Sequence, residues 1–295
     1  LECLPESNIV TRCVAALTLG SAYRLSGDAT AAGQAFAEAI TFGRATGNIL
    51  VTLLASQYTA QLQKEQGHLY KAAETYKKAL HYAMEGKGRQ LPTTGLLYIG
   101  LSEILFEWND LDTTSSLLMN GLELGTLSNA IDVLLAGYLA LAHLKHAQED
   151  SPGVLAALKS IEGLMPQVTP PAMLSEMEAW RAHLQLMQND TASASRWMQE
   201  YDVKNTDELH SLGSIECLTL ARVRFIRGQL DEALSLLDWL QQRDEQSGSM
   251  NRILEILVLR AVILQARGNT SEALVVLKQA LGMAEPEGYT RVFVD

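Results

Sequence analysis

Three histidines are the first residues in this sequence whose types and spacing suggest chemistry. His143 and His146 lie one helical turn apart, and His183 follows His143 by 40 residues. Imidazoles placed in this way on neighbouring helices can bind a metal ion such as zinc. No Cys or carboxylate obviously completes a ligand set, so we favour histidines that are structural or that contact a ligand, and we predict no metal site.

The search for catalytic motifs is otherwise negative. The stretch EGKGRQ (85–90) places a lysine between two glycines, but it follows a predicted helix and lacks the G-x-x-x-x-G-K-[ST] frame of a phosphate-binding loop. We interpret it as a solvated loop between repeats. The motifs G-x-S-x-G and H-E-x-x-H do not occur. The sequence therefore predicts no enzyme activity and no cofactor in these 295 residues.

Composition limits which kinds of partner and which cell compartment the sequence predicts for this chain. The formal net charge of −11 argues against direct contact with nucleic acid, which requires clustered Lys and Arg. The longest apolar run, Val133 to Ala142, is about half of the ~20 residues that a membrane span needs, so a buried helix is expected and no membrane contact. Three cysteines without C-x-x-C spacing indicate a reducing compartment, so we predict a cytoplasmic location.

Internal repeats organise the chain that carries these residues. The phrase RGQLDEALSLL (227–237) recurs as RGNTSEALVVL (267–277), 40 residues later. Earlier copies carry Gly, Asn or Glu at the position of the glycine in these two phrases. These turn markers are spaced 39 to 42 residues apart, and they are Gly27, Gly67, Asn109, Glu149, Asn189, Gly228 and Gly268.

Each repeat is predicted to contain two helices joined at its marker. Glycine suits the left-handed backbone that ends a first helix, and Asp28 or the Asn269–Glu272 capping-box pair then begins a second. We predict an all-α fold, a right-handed superhelix of about seven tetratricopeptide-like pairs in one domain over 1–295. The predicted units lie near 7–48, 49–90, 91–128, 129–169, 170–208, 209–248 and 249–285, and 286–295 form an extended cap or linker.

The first unit resembles the tetratricopeptide pattern. Leu19, Gly20 and Tyr23 match L-G-x-x-Y on the first helix, and Ala32, Phe36 and Ala39 match A-x-x-x-F-x-x-A on the second. Small residues at 20 and 32 would let the paired helices approach closely, and Phe36 would fill the wedge between them. The four tryptophans, Trp180 among them, are predicted to be mostly core residues whose indole N–H is satisfied nearby.

The concave face of such an array, lined by the first helices, is its expected binding surface. The repeat register places a mixture of amides, acids, imidazoles and aromatics on it, which suits a polar small molecule held by hydrogen bonds. The predicted ligand-binding residues are Gln57, Gln61, Lys64, Glu103, Phe106, Glu107, His143, His146, His183, Arg222 and Phe225. The same register also includes Ser21, Arg24, Glu255 and Gln265. A solvated inner face without a ligand remains the alternative for any single residue.

The repeats and the closing AEPEGYTRVFVD (284–295) together resemble the large ATP-binding regulators of the LuxR family, the MalT-like class. The helix pairs resemble this class across all seven units, but only the tail is specific. The resemblance implies a transcriptional activator with an ATPase module before this array and a helix-turn-helix after it. The array would then be the effector-sensing and autoinhibitory domain, which binds a small polar inducer, contacts other domains of its chain and takes part in self-association. The alternative function is a protein–protein scaffold that binds a partner peptide or helix.

Overall fold

The computed structural model describes residues 8–86, 88, 90–168, 171–200 and 212–294. Within these residues the regular structure consists of fourteen α-helices and three short 3-10 helices, without a strand. The predicted all-α fold of tetratricopeptide-like helix pairs is confirmed. Cys3, the lysine of the 85–90 loop and the predicted unit boundary near 208–209 lie outside the described residues.

First and second helices alternate along the chain. The first helices are α1 Ile9–Leu25, α3 Ile49–Glu65, α5 Pro92–Glu107, α7 Ile131–Ala147, α9 Pro171–Met187, α11 Ser214–Ile226 and α13 Met250–Ala266. The second helices are α2 Ala29–Thr46, α4 Leu69–Glu85, α6 Leu111–Ser128, α8 Ser151–Leu164, α10 Thr191–Glu200, α12 Leu230–Ser247 and α14 Thr270–Ala284. None of these described helices is both long and apolar enough to cross a membrane.

The chain divides into two compact units, each larger than one of the repeats predicted from the sequence. The first unit contains the residues up to Ala140 together with Ser247–Asn251, and the second contains Leu141–Gln246 and the residues from Arg252 onward. The prediction of one repeat domain over residues 1–295 stays a prediction.

Left-handed residues end the first helices. All seven predicted turn markers have positive φ angles, including the non-glycine markers Asn109 (60°), Glu149 (58°) and Asn189 (60°). An Asp follows four of them directly, and the Asp150 carboxylate, for example, accepts a hydrogen bond from the Gly153 N–H at 2.9 Å. The markers are therefore confirmed as the turns between paired helices. The expected capping box is not formed in full, because the Asn269 amide contacts the Glu272 carboxylate at 3.5 Å but accepts no bond from the helix.

Close packing of the first helix pair, α1 with α2, depends on a glycine that faces an aromatic ring. Phe36 of α2 is fully buried, and a Cβ atom added to Gly20 of α1 would lie 2.5 Å from two carbons of its ring. The Phe36 ring also lies 5.3 Å from that of Tyr58 on α3, so one side chain joins three helices. This confirms the predicted roles of Gly20 and Phe36. First helices also contact one another from pair to pair, α1 with α3 and α3 with α5.

The second unit has its own apolar core, built around Trp197 of α10. Trp197 is 4% exposed and packs with Cys217 of α11 and Leu237 of α12, which are fully buried. Burial raises the pKa of the Cys217 thiol to about 12, so this cysteine is an unreactive core residue.

The C-terminal tail differs from the prediction. After the left-handed Gly288 the backbone forms a 3-10 turn over Arg291–Phe293, whereas an extended segment was expected. Tyr289, Val292 and Phe293 pack against the buried ends of α13 and α14, so the capping role is confirmed for these three residues. Val294 is 65% exposed and does not contribute.

Candidate functional site

The packing of the first helices leaves a strip of polar side chains at regular intervals. In α7, Ala142 and Leu144 are almost completely buried, while His143 between them is half-buried. On α3, α5 and α7 alike, half-buried polar side chains form a strip along the helix. We call this strip, with its equivalents on the other first helices, the first-helix face.

In the first unit, two predicted residues on the first-helix face form an ion pair. The Lys64 ammonium of α3 contacts the Glu103 carboxylate of α5, which joins two successive first helices. Desolvation acts to lower the pKa of Lys64, but the charge and hydrogen bond of Glu103 outweigh it together with the charges of Tyr76 and Glu65, and the pKa is raised. Lys64 is therefore a permanent cation at this position. Tyr76 of α4 lies beneath the pair, only 1% exposed, and burial raises the pKa of its phenol.

The other predicted residues of the first unit are less closely grouped. Gln57 is 5% exposed, and its side-chain oxygen has no hydrogen-bond partner among the described residues. Gln61 is half-buried one turn later on the same helix. Phe106 and Glu107 lie in the last turn of α5, also half-buried.

In the second unit, residues from four first helices come together in what we call the histidine cluster: His143 of α7, Trp180 and His183 of α9, Arg222 of α11 and Glu255 of α13. The ring of His143 meets that of Trp180 edge to face, with centroids 5.3 Å apart and planes at 88°. His183 lies 5.9 Å from both rings. His146, one turn from His143, has its Nδ1 atom 3.3 Å from the Gln188 amide nitrogen. The cluster combines an aromatic surface with several hydrogen-bonding groups.

Arg222 brings the positive charge of the cluster. Its Nη2 atom lies 3.8 Å from the nearest Glu255 carboxylate oxygen, beyond hydrogen-bond distance. Its Nη1 atom and the His183 Nδ1 atom are both buried and have no hydrogen-bond partner among the described residues. Desolvation lowers the pKa of Arg222, and the Glu255 charge only partly opposes it. The guanidinium has therefore lost water, and its loose ion pair with Glu255 compensates this loss only in part.

The imidazole of His183 is held neutral near pH 7. Desolvation lowers its pKa well below 6.5, and the charges of Arg222, His143 and His146 act in the same direction. A neutral imidazole carries one donor and one acceptor nitrogen, so His183 can bond to either kind of ligand group. No group of three His, Cys, Asp or Glu side chains arranged to hold a metal ion occurs within the described part of the chain.

Acid is expected to destabilise the protein through His183. Its pKa is lower in the folded chain than in the unfolded chain, so the unfolded chain binds more protons below about pH 6.5. The stability contributed by neutral His183 is complete above that pH and is lost as the pH falls towards the lowered pKa. His183→Gln should therefore lose less free energy of unfolding between pH 7 and pH 5 than the wild-type chain, measured by urea unfolding at each pH. His81→Gln is the control, because His81 is 76% exposed; an equal pH response in all three proteins would contradict the assignment.

Sequence reasoning missed part of this cluster. Trp180 was expected in the core, but it is half-buried, and its indole N–H bonds to the Glu176 carboxylate. Glu255 lay in the predicted register without being chosen as a ligand-binding residue. Phe225, which was chosen, packs against the core cluster of the second unit. The predicted ligand-binding residues stay predictions, since burial and contacts alone do not test them.

A separate cavity of about 320 Å³ lies elsewhere in the second unit. Its lining residues come from α9 and α10 and are Arg181, Gln185, Ser193, Arg196 and Trp197. The Arg181 guanidinium has Glu162 at 3.9 Å, and Arg196 donates to Ser193 at 2.8 Å. Both arginines therefore have partners, and no predicted residue lines this cavity.

Known proteins match the chain along its whole length. The family model described as the MalT-like TPR region matches residues 1–295. The chain is 25% identical over 297 residues to the HTH-type transcriptional regulator MalT of Serratia proteamaculans, which covers 100% of the chain and 32% of that protein. It is 25% identical over 296 residues to the protein of the same name from Cronobacter sakazakii, with the same coverage. A tetratricopeptide repeat protein from Parabacteroides merdae is 13% identical, with a TM-score of 0.47, covering 97% of this chain and 100% of that one.

Proposed function

The chain belongs to the MalT-like TPR region family, and from this premise we propose that it is the effector-sensing and autoinhibitory repeat region of a transcriptional activator. In this proposal a small polar inducer binds the first-helix face. The chain spans about a third of the length of the curated relatives it matches. In the proposal the array also takes part in self-association, whereas ATP binding and DNA binding are assigned to other parts of the whole protein.

One observation carries the ligand-binding part of the proposal. The histidine cluster gathers aromatic, cationic, anionic and neutral hydrogen-bonding side chains from α7, α9, α11 and α13. Small-molecule sites characteristically combine an aromatic surface with a few convergent polar groups. Residues that served only to solvate the surface would have no reason to leave buried donors at His183 and Arg222 unsatisfied.

The same arrangement suggests how ligand binding would change the packing of the helix pairs. A ligand in the histidine cluster would contact first helices of successive pairs, and so would favour one spacing of those pairs over another. A ligand shifts an equilibrium between two conformations only by its difference in affinity for them. Contacts that span helices supply such a difference, whereas contacts within one helix would not. We infer that inducer binding changes how the pairs of the second unit stack, and that this relieves autoinhibition.

The test is a thermal-shift screen of sugars and other polar metabolites on this chain, with hits measured by titration calorimetry. His143→Ala is expected to weaken a hit at least tenfold, because the His143 ring contacts both Trp180 and His183. His81→Ala, on the exposed side of α4, should leave the affinity unchanged.

Absence of any small-molecule hit, combined with tight binding of a peptide that His143→Ala abolishes, would replace the sensor function by that of a peptide-binding scaffold. A hit whose affinity is the same in both variants would move the binding site away from the histidine cluster.

A further inference from the structure

We propose that the histidine cluster recognises an oxyanion, a carboxylate or a phosphate, attached to a ring, with the charge held by Arg222 and His183 and the ring lying against Trp180. This inference rests on the proposed function and specifies the chemical class of its ligand. It follows from the charge, the unused hydrogen-bond donors and the ring geometry of the cluster.

The cluster contains a half-buried permanent cation, Arg222, in a chain that is acidic overall. The chain as a whole has a formal net charge of −11, yet Arg222 and three imidazoles, His143, His146 and His183, are close enough to influence one another electrostatically. The nearest carboxylate to the guanidinium, Glu255, stands 3.8 Å away. This loose ion pair only partly offsets the desolvation of the guanidinium, and an oxyanion offsets the remaining cost more completely than a neutral group.

Two buried hydrogen-bond donors of the cluster are unused among the described residues. Arg222 Nη1 and His183 Nδ1 are the atoms of the cluster that are buried without a partner within the described residues. With its proton on Nδ1, neutral His183 donates from that atom, and both donors can then serve the two oxygens of one carboxylate or phosphate. The Arg222 side chain keeps 23% of its surface exposed, so a rotamer change brings its donors to a ligand arriving from solvent.

The aromatic rings define where the remainder of the ligand lies. Trp180 is half-buried, with the edge of His143 directed at its ring and His183 tilted at 60° to it. Its indole N–H is already engaged by Glu176. Trp180 therefore offers a flat apolar surface and no free donor, which suits a ring that packs by stacking.

The experiment titrates this chain with benzoate, phenyl phosphate and the neutral, isosteric benzamide, and follows binding by calorimetry. We expect benzoate or phenyl phosphate to bind about tenfold more tightly than benzamide, because hydrogen bonds to a charged group are roughly twice as strong. The comparison of benzoate with phenyl phosphate tells which oxyanion is preferred. Arg222→Met should remove the preference for the charged probes, and Arg222→Lys, which keeps the charge without the fork, should reduce it.

Arg227→Met is the matched control, since Arg227 ends the same helix on its exposed side. Equal affinity for benzamide and benzoate, no binding by any of the three probes, or a preference that survives Arg222→Met overturns the proposal. Neutral hits in the metabolite screen that still depend on His143 would leave the sensor function intact while removing the oxyanion preference. Failure of that screen as well would remove both.

Discussion

Asp244→Ala is expected to lower the free energy of unfolding of this protein by about 3–5 kcal/mol, measured by urea denaturation. Asp244 of α12 is 2% exposed and lies between two arginines, with carboxylate oxygens 3.6 Å from Arg243 Nε and 3.3 Å from Arg252 Nε. It also accepts a hydrogen bond from the Ser214 hydroxyl at 3.3 Å. The substitution leaves two crowded guanidiniums without their shared counter-charge, at the point where α11, α12 and α13 meet.

Asp238→Ala is the matched control on the same helix. Asp238 accepts a 2.6 Å hydrogen bond from Arg260 but is 64% exposed. Exposed pairs of this kind contribute at most about 1 kcal/mol. Similar small losses in both variants would show that the Asp244 network does not hold the second unit together.

Phe36→Ala should destabilise the first unit by about 3–5 kcal/mol, the usual cost of removing a large buried aromatic ring. Phe36 has no exposed surface, and its ring fills the space opposite Gly20 and beside Tyr58. The surrounding helices cannot close that space without moving three elements at once. The measurement is again urea unfolding, followed by circular dichroism.

Tyr23→Ala removes an aromatic side chain of similar size from the same helix pair. Because Tyr23 is 40% exposed, its loss should cost no more than about 1.5 kcal/mol. A Phe36→Ala variant as stable as Tyr23→Ala would mean that the surrounding helices close around the missing ring. That result would contradict the expectation that they cannot do so without moving three elements at once.

The helix pairs and their turns were predictable because they depend on local sequence and on period. Glu149 shows what the spacing of the repeats predicts without help from residue type. Its residue type gives no reason to expect a left-handed backbone, but its spacing from Asn109 and Asn189 does, and its φ angle is 58°. The tail shows the limit of local reasoning. Aromatic and β-branched residues favour an extended backbone, but the chain forms a 3-10 turn over Arg291–Phe293, where Val292 and Phe293 pack against α13 and α14.

The repeat spacing predicted on which helices the residues of the candidate site lie, but only part of the contacts between their side chains. The 40-residue spacing placed His143 and His183 on equivalent sides of successive first helices, and their rings lie 5.9 Å apart. The role of Trp180 depends on which side of α9 its neighbours cover, and periodicity is the same for a core tryptophan and for one at the edge of a groove. Phe225 is half-buried and packs against the core cluster of the second unit, a contact that the repeat register alone does not predict.

The binding of a small molecule at the histidine cluster is tested most directly by the indole N–H signals in nuclear magnetic resonance spectra. The four tryptophans report on different places: Trp180 on the histidine cluster, Trp197 on the cavity lined by Arg181 and Arg196, and Trp108 and Trp239 on other surfaces. Titration with a screening hit should shift the Trp180 signal, and Arg222→Met should abolish that shift. A hit that shifts Trp197 and leaves Trp180 unchanged would contradict the account.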